Sequence, residues 1–138
     1  MQEPKQSPLD IIAVTTVAGN QSVEKNTNNA LNVLDIMGRL DIEVSVGASR
    51  PLIKDASFAS EIHGETGLDG PNLPKVPALK PTTMHAVDTI IEKVSHSDTK
   101  VTIVATGPLT NIAMAMNKEP NIVQKYRIYY NYGGRYIR

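Results

Sequence analysis

Short β-branched runs alternate with helical stripes along this 138-residue chain, and this alternation restricts the fold more than any other feature. Residues 9–17 form a nearly continuous apolar run, which is typical of a strand buried in a parallel sheet. Residues 23–37 follow with apolar residues at i, i+3, i+4 and i+7 from Ala30, which predicts a helix that ends at Gly38. Residues 43–46 predict the next strand. A strand–helix–strand order implies a right-handed crossover between two parallel strands.

The same pattern returns in the second half of the chain. Residues 83–95 carry another helical stripe, and residues 100–105 form the clearest strand of the sequence. Pro108 stands where a helix takes its first residue, and residues 127–130 predict a last strand. We therefore predict a single α/β domain over residues 1–138, with a Rossmann-like open, mostly parallel sheet and flanking helices.

A long segment, residues 49–84, interrupts this pattern with prolines and glycines but no clear periodicity. Loops of this length are usually functional or disordered, so an active-site loop and a mobile surface insertion both remain open. His63 lies in it with three acidic residues within residues 61–70, and it could act as a general acid or be an ordinary loop histidine. The spacing of these residues matches neither an EF-hand nor a zinc motif.

Composition excludes several classes of protein. The chain has no cysteine, which excludes a disulfide scaffold and a cysteine-based zinc site. Its 14 basic and 14 acidic residues balance, which argues against binding of nucleic acid or anionic membranes through bulk charge. No apolar run approaches the length of a membrane span. Residues 1–8 are polar and do not resemble a secretory signal, so we expect a cytoplasmic protein.

Three turns follow predicted strands, and ligands of open parallel sheets bind beyond the carboxyl ends of the strands. These turns are Gly19–Asn20, residues 106–108 and Gly133–Gly134. The amide of Asn20 could donate to and accept from a polyhydroxylated ligand, or Asn20 could be only a turn or cap residue.

Three segments together resemble the nucleoside hydrolase family, the inosine–uridine-preferring N-ribohydrolases. They are residues 12–20 (Ile-Ala-Val-Thr-Thr-Val-Ala-Gly-Asn), residues 61–70 (Glu-Ile-His-Gly-Glu-Thr-Gly-Leu-Asp-Gly) and residues 105–113 (Ala-Thr-Gly-Pro-Leu-Thr-Asn-Ile-Ala). The resemblance implies a partial nucleoside hydrolase fold and hydrolysis of the N-glycosidic bond of ribonucleosides to base and ribose. It also implies a calcium ion that holds the ribose diol and the attacking water.

The resemblance also implies roles for individual residues. Asn20 matches an asparagine that contacts ribose, and the backbone carbonyl of Thr106 matches a calcium ligand. His63 matches a catalytic-site histidine on the family's mobile loop. Gly133 belongs to a substrate-contacting turn that reads Met-Gly-Gly in the family, and Tyr132 replaces its methionine here.

Two further parts of the family pattern are not found in the chain. The family's Asp-x-Asp-Pro-Gly-x-Asp-Asp stretch, which supplies calcium carboxylates and the general base, and its later Glu-x-Asn stretch do not occur. One carbonyl, from Thr106, falls short of the six to eight oxygens that calcium takes. We therefore expect a fragment truncated at both ends, inactive by itself, with an exposed strand edge. The alternatives are a non-catalytic module that binds nucleosides or ribose, and a subunit that completes its sheet with another chain, including a homo-oligomer.

Overall fold

The computed structural model describes residues 9–53, 55, 58, 60–68, 70, 73 and 77–130. Helices and strands alternate along these residues as the sequence predicts, which confirms an α/β fold. The elements in chain order are β1 (Val14–Thr15), α1 (Val23–Ile36), β2 (Val44–Ser45), α2 (Ser60–His63), α3 (Ala86–His96), β3 (Val101–Ala105), α4 (Thr110–Lys118), a 3-10 helix (Pro120–Lys125) and β4 (Tyr126–Tyr130).

The strands form two separate parallel pairs. β1 pairs with β2, and Val14 lies opposite Val44. β3 pairs with β4 along its whole length, from Val101 opposite Tyr126 to Ala105 opposite Tyr130. No strand among the described residues joins β1 to β3. The predicted parallel pairing is therefore confirmed, but it occurs in two pairs and not in one continuous sheet.

β1 is much shorter than the apolar run at residues 9–17 predicts. The backbone N–H groups of Val14, Thr16 and Ala18 donate to the segment that contains β2, over 2.9, 3.0 and 2.9 Å. β1 is also half-buried, whereas a fully buried strand was predicted. β1 pairs with the equally short β2, and among the described residues it has no strand neighbour on its other side, where its burial is incomplete.

Local capping sets the ends of α1. The hydroxyl oxygen of Ser22 accepts a hydrogen bond from the backbone N–H of Lys25 over 3.4 Å, which caps the first turn. Gly38 follows the helix with a φ of 68°, a conformation that glycine adopts without steric cost. The buried side of α1, including Leu31 and Leu34, packs against β2.

α3, α4 and the 3-10 helix cover one face of the β3–β4 pair and form a second core. Its buried residues are Val87, Ile90, Val94, Ala105, Ile112, Ala115, Ile122 and Tyr126. His85 caps α3, because its Nδ1 accepts a hydrogen bond from the backbone N–H of Val87 over 3.2 Å. α4 begins at Thr110, so the prediction that Pro108 is its first residue was wrong; Pro108 instead belongs to the turn that packs against Gly19.

The opposite face of the β3–β4 pair is open. Val104 and Tyr129 lie opposite each other on this face, with 65% and 56% of their surfaces exposed. Parallel sheets are normally covered on both faces, so these two side chains mark a face that lacks its covering layer in the described part of the chain.

The long segment between β2 and α3 forms hydrogen bonds with the β2 segment just before α3 begins. The backbone N–H of Thr82 donates to the carbonyl of Val44 over 2.8 Å, and that of Ala86 donates to Val46 over 2.9 Å. These bonds occupy the edge of β2 that faces away from β1. Within this segment α2 is a single helical turn.

Candidate functional site

A groove of about 350 Å³ lies between β1 and β3. Its walls are residues 14–17 on one side and residues 103–105 on the other, and the turns that follow these strands form one end of it. The described residues that line it include no charged side chain. The groove is thus an uncharged space between the two strand pairs, with the turns after β1 and β3 at one end.

The turns after β1 and β3 touch at this end. A Cβ added to Gly19 would lie 3.0 Å from Cδ of Pro108, and one added to Gly107 would lie 3.5 Å from Cγ1 of Val17. The first distance is shorter than an ordinary van der Waals contact, so a side chain at position 19 would require Pro108 to shift, and glycine there favours the close approach. We call this end of the groove, formed by residues 19–20 and 106–108, the mouth.

Asn20 and Thr106 both lie at the mouth, and both are exposed there. The first two of the three predicted turns therefore lie together at the carboxyl ends of parallel strands. The third, Gly133–Gly134, lies outside the described residues, as does Tyr132.

Two further asparagines hold the backbone around the mouth. The Asn111 amide donates to the carbonyl of Thr16 over 2.8 Å, and its Oδ1 accepts from the backbone N–H of Ala48 over 2.9 Å. This one side chain therefore joins the segments that follow β1 and β2. A Cβ at position 47 would overlap with the same amide, so Gly47 makes room for the bridge.

Asn26 holds the turn that follows β1. Its Nδ2 donates to the carbonyl of Val17 over 2.9 Å and to that of Gln21 over 3.1 Å. Neither Asn26 nor Asn111 is predicted as a site residue from the sequence. The available signal was asparagine inside two helices, where it is a poor helix former and therefore suggests a tertiary hydrogen bond.

His63 does not line the groove, although Gly64, the residue after it, accepts a hydrogen bond from Gln21, the residue after Asn20. His63 is the last residue of α2. The loop after it is held by α1 and the residues just before that helix. Three side chains spaced four residues apart donate to three consecutive carbonyls of this loop: Gln21 to Gly64 (2.9 Å), Lys25 to Glu65, and Asn29 to Thr66 (2.9 Å). We call these three bonds the loop ladder.

A pKa shift occurs at the start of α1. The pKa of Glu24 is lowered, first by a hydrogen bond from its own backbone N–H and then by the side chain of Ser22. Both donors favour the charged carboxylate at the positive end of the helix dipole. Glu24 is exposed and does not line the groove, so this charge is outside the site.

The residues described here do not fit the calcium ion that the resemblance implies. Among them no group of three or more histidine or carboxylate side chains could hold a metal. The lining of the groove offers backbone carbonyls and asparagine amides, of which Thr106 and Asn20 lie at the mouth. Calcium takes six to eight oxygens, several of them from carboxylates, and the groove lining provides no carboxylate.

Comparison with known proteins identifies the family. Residues 3–137 match the family described as inosine-uridine preferring nucleoside hydrolase, which is nearly the whole chain. The chain belongs to this family. The resemblance predicted from three short motifs is confirmed.

The curated relatives it matches are longer proteins. It is 48% identical over 116 residues to the pyrimidine-specific ribonucleoside hydrolase RihA of Shewanella sp. (strain ANA-3), an alignment that covers 84% of this chain and 35% of the relative. The corresponding RihA of Photobacterium profundum is 51% identical over 108 residues, which cover 78% of this chain and 34% of that protein. The chain thus spans about a third of the length of these relatives.

Solved structures confirm the fold class. A purine-preferring ribonucleoside hydrolase from Gardnerella vaginalis superposes with a TM-score of 0.85 and 32% identity, covering 93% of this chain and 42% of that one. The plant nucleoside hydrolase PpNRh1 gives a TM-score of 0.82 and 40% identity, covering 90% and 40%. In the described part of the chain, no helix is long and apolar enough to cross a membrane.

Proposed function

We propose that this chain supplies the ribose-binding part of a ribonucleoside hydrolase, which uses water to cleave the N-glycosidic bond and releases base and ribose. The observation that carries the proposal is the convergence of Asn20 and Thr106 at the mouth of an uncharged groove, in a chain of this family. Two turns that pack closely together provide a polar rim, which suits a sugar.

The reaction would depend mainly on how the site orients the ribose. The bond between C1′ and the base nitrogen breaks, the oxygen of water adds to C1′, and a proton passes to the base. Since the transition state resembles an oxocarbenium ion, a group that fixes the ribose in the reactive geometry lowers the barrier. The Asn20 amide can donate to one ribose hydroxyl and accept from another, which suits this positioning role.

We propose pyrimidine ribonucleosides as the preferred substrates. The curated relatives at 48% and 51% identity are named as pyrimidine-specific, whereas the purine-preferring structure is 32% identical. The uncharged groove is compatible with a neutral nucleoside, and it offers no basic residue for a nucleotide phosphate among the described residues.

We further propose that the chain alone binds nucleosides without cleaving them. The groove lining holds no carboxylate to act as a base or to bind calcium, so no hydrolytic step can be assigned to its residues. The Asn20 and Thr106 rim is nonetheless present, which favours binding without turnover as the behaviour of the isolated chain. Calcium-dependent hydrolysis of uridine by the isolated chain would contradict this.

A segment exchange tests the proposed activity. The matched segment of this chain replaces the 116 aligned residues in the Shewanella RihA, and the release of base from uridine, cytidine and inosine is measured. We expect hydrolysis with preference for the pyrimidine nucleosides. Asn20→Ala in this chimera should lower kcat/KM for uridine by about tenfold or more, the cost of losing one or two hydrogen bonds to the substrate.

Asn28→Ala is the matched control for this experiment, because Asn28 is an exposed asparagine of α1 that does not line the groove. It should leave kcat/KM unchanged. A folded chimera that hydrolyses none of the three nucleosides would overturn the proposed function. Equal effects of Asn20→Ala and Asn28→Ala would remove Asn20 from the site.

A further inference from the structure

We propose that Gln21 is a positioning residue, which sets the place of His63 relative to the proposed ribose contact at Asn20. Gln21 follows Asn20 directly in the chain, and its side chain donates to the carbonyl of Gly64, the residue after His63. One hydrogen bond, between residues 43 positions apart, therefore joins the chain neighbours of two predicted site residues. The proposal rests on the proposed function, because it concerns how His63 takes part in hydrolysis.

The backbone of Gln21 is held within the turn that follows β1. Its carbonyl accepts a hydrogen bond from the backbone N–H of Gly19 over 3.0 Å and another from the Asn26 amide over 3.1 Å. Neither bond involves the side chain of Gln21. A change of that side chain should therefore leave the turn, and with it Asn20, in place.

The side chain of Gln21 is buried, with Gln21 only 3% exposed. A buried amide is costly unless its polar groups form hydrogen bonds, and the bond from Nε2 to the carbonyl of Gly64, over 2.9 Å, supplies one. An apolar side chain of the same length would fill this space without that cost. The amide therefore indicates that position 21 provides the bond to the loop and not merely volume.

The loop is built to receive this side chain. The carbonyl of Gly64 also accepts from the backbone N–H of Gly67 over 3.3 Å, which closes the turn that follows His63. A Cβ added to Gly67 would lie 2.8 Å from Cγ of Gln21, and the φ of Gly67 is 79°, a value that favours glycine. The hydrogen bond and this close contact together fix the loop against Gln21.

Among the three bonds of the loop ladder, the one from Gln21 is the least exposed to water. The bonds from Lys25 to Glu65 and from Asn29 to Thr66 are exposed, whereas the bond from Gln21 is partly buried. The loss of a buried hydrogen bond costs more than the loss of an exposed one, because water cannot replace the missing partner. Gln21 should therefore contribute most to the position of the loop.

The reaction gives this position a consequence. The base leaves with the electron pair of the broken N-glycosidic bond and takes up a proton, and the sequence predicts His63 as a candidate general acid. A general acid must lie within hydrogen-bond reach of the atom that it protonates, and a displacement of about 1 Å can lower a rate by about 100-fold. A loop fixed to the residue beside the ribose contact keeps His63 at a constant separation from the sugar.

A double-mutant cycle in the RihA chimera tests the proposal, with Gln21→Met, His63→Ala and the two combined. We expect Gln21→Met to lower kcat for uridine by about tenfold and to change KM by less than about twofold, since the turn at Asn20 is retained. Where His63 is already alanine, Gln21→Met should lower kcat by less than about twofold. A merely structural role would lower kcat equally in both backgrounds. Asn28→Ala is again the control.

Amide hydrogen exchange in the chain itself, without nucleoside, tests the contact directly. Gln21→Met should raise exchange in residues 64–67 by about threefold to tenfold, the effect of one lost hydrogen bond. Gly67→Ala disturbs the same contact from the loop side, outside both cores, and should have a similar effect. It replaces Gln21→Met in the cycle if that variant fails to fold. Gln124→Met, at an exposed position of the 3-10 helix, should leave the exchange unchanged.

Several results would overturn the proposal. In an active chimera, additive effects of Gln21→Met and His63→Ala on kcat would refute it and leave the proposed function standing. Full activity of His63→Ala, or unchanged loop exchange in both Gln21→Met and Gly67→Ala, would do the same. A folded chimera that hydrolyses no nucleoside would refute the proposed function, and the role of Gln21 in hydrolysis would fall with it.

Discussion

Asparagine amides, and not charges, hold the backbone around the mouth of the groove. An amide donates and accepts at once, so a single side chain can satisfy a carbonyl on one strand and an N–H on the next. Asn111 does this between Thr16 and Ala48, and Asn26 pairs two carbonyls of the first turn. Such bridges keep the strand ends in register and leave the groove uncharged, which suits a neutral sugar.

We predict that Asn111→Ala destabilises the chain by about 2–3 kcal/mol, because it leaves the carbonyl of Thr16 and the N–H of Ala48 without partners in a buried or half-buried setting. Urea unfolding followed by circular dichroism measures this. Asn117→Ala, at an exposed position of the same helix, should change the free energy of unfolding by less than about 0.5 kcal/mol. Equal effects of the two variants would show that the bridge contributes nothing.

At the scale of elements, α1 links the groove to the loop that carries His63. Two donors of the loop ladder, Lys25 and Asn29, lie four residues apart on one side of α1, and the third, Gln21, precedes the helix; the acceptors are three consecutive carbonyls. Gly64 and Gly67 have φ angles of 74° and 79° and allow the tight turn that presents these carbonyls. The helix that begins just after Asn20 therefore also fixes the position of the segment that follows His63.

We predict that Asn29→Ala loosens this loop without unfolding the chain. It removes the donor to Thr66 at an exposed site, which should cost about 0.5–1 kcal/mol of local stability and raise amide exchange in residues 64–67 by roughly threefold. Hydrogen exchange with mass spectrometry measures the effect. Asn28→Ala, at the adjacent and exposed position, is the control. Unchanged exchange in Asn29→Ala would mean that the other two bonds hold the loop without it.

The sequence predicts helices better than strands here, and the reason is physical. Helix ends depend on neighbours in the chain, and the Gly38 terminus of α1 is where the pattern puts it. Strand length depends on distant partners. The apolar run at residues 9–17 is consistent with a long strand, but only Val14–Thr15 forms one, opposite an equally short partner, Val44–Ser45.

In the candidate site, too, the sequence predicts local features but not long-range contacts. The positions of Asn20 and Thr106 could be predicted because both follow strands of a parallel sheet, whose carboxyl ends share an edge. The bridge made by Asn111 spans 95 residues of sequence, and the loop ladder spans roughly 40, so no local pattern reveals either contact. The division of the sheet into two pairs is likewise a property of tertiary contacts.

At the scale of the whole molecule, the groove and the open face of the β3–β4 pair both expose strand surface that a neighbouring element normally covers. The edges of β1 and β3 have no strand between them in the described part of the chain, and Val104 and Tyr129 have no layer above them there. The chain covers about a third of its curated relatives, so the remaining two-thirds of those proteins are available to fill both positions. The isolated chain must accommodate this apolar surface in water, which favours self-association.

We predict that the isolated chain self-associates through the open face and that Val104→Thr combined with Tyr129→Thr reduces the associated fraction by about half or more. Both side chains are largely exposed, at 65% and 56%, so the double variant should keep its Tm within about 2 °C, because few packing contacts are lost. Sedimentation velocity and thermal unfolding measure the two quantities. Val94→Thr, at a core position that is 1% exposed, should instead lower Tm by several degrees and serves as the reference for a loss of core packing. Undiminished association of the double variant would mean that copies meet elsewhere, while a fall in Tm like that of Val94→Thr would mean that the face is covered in solution.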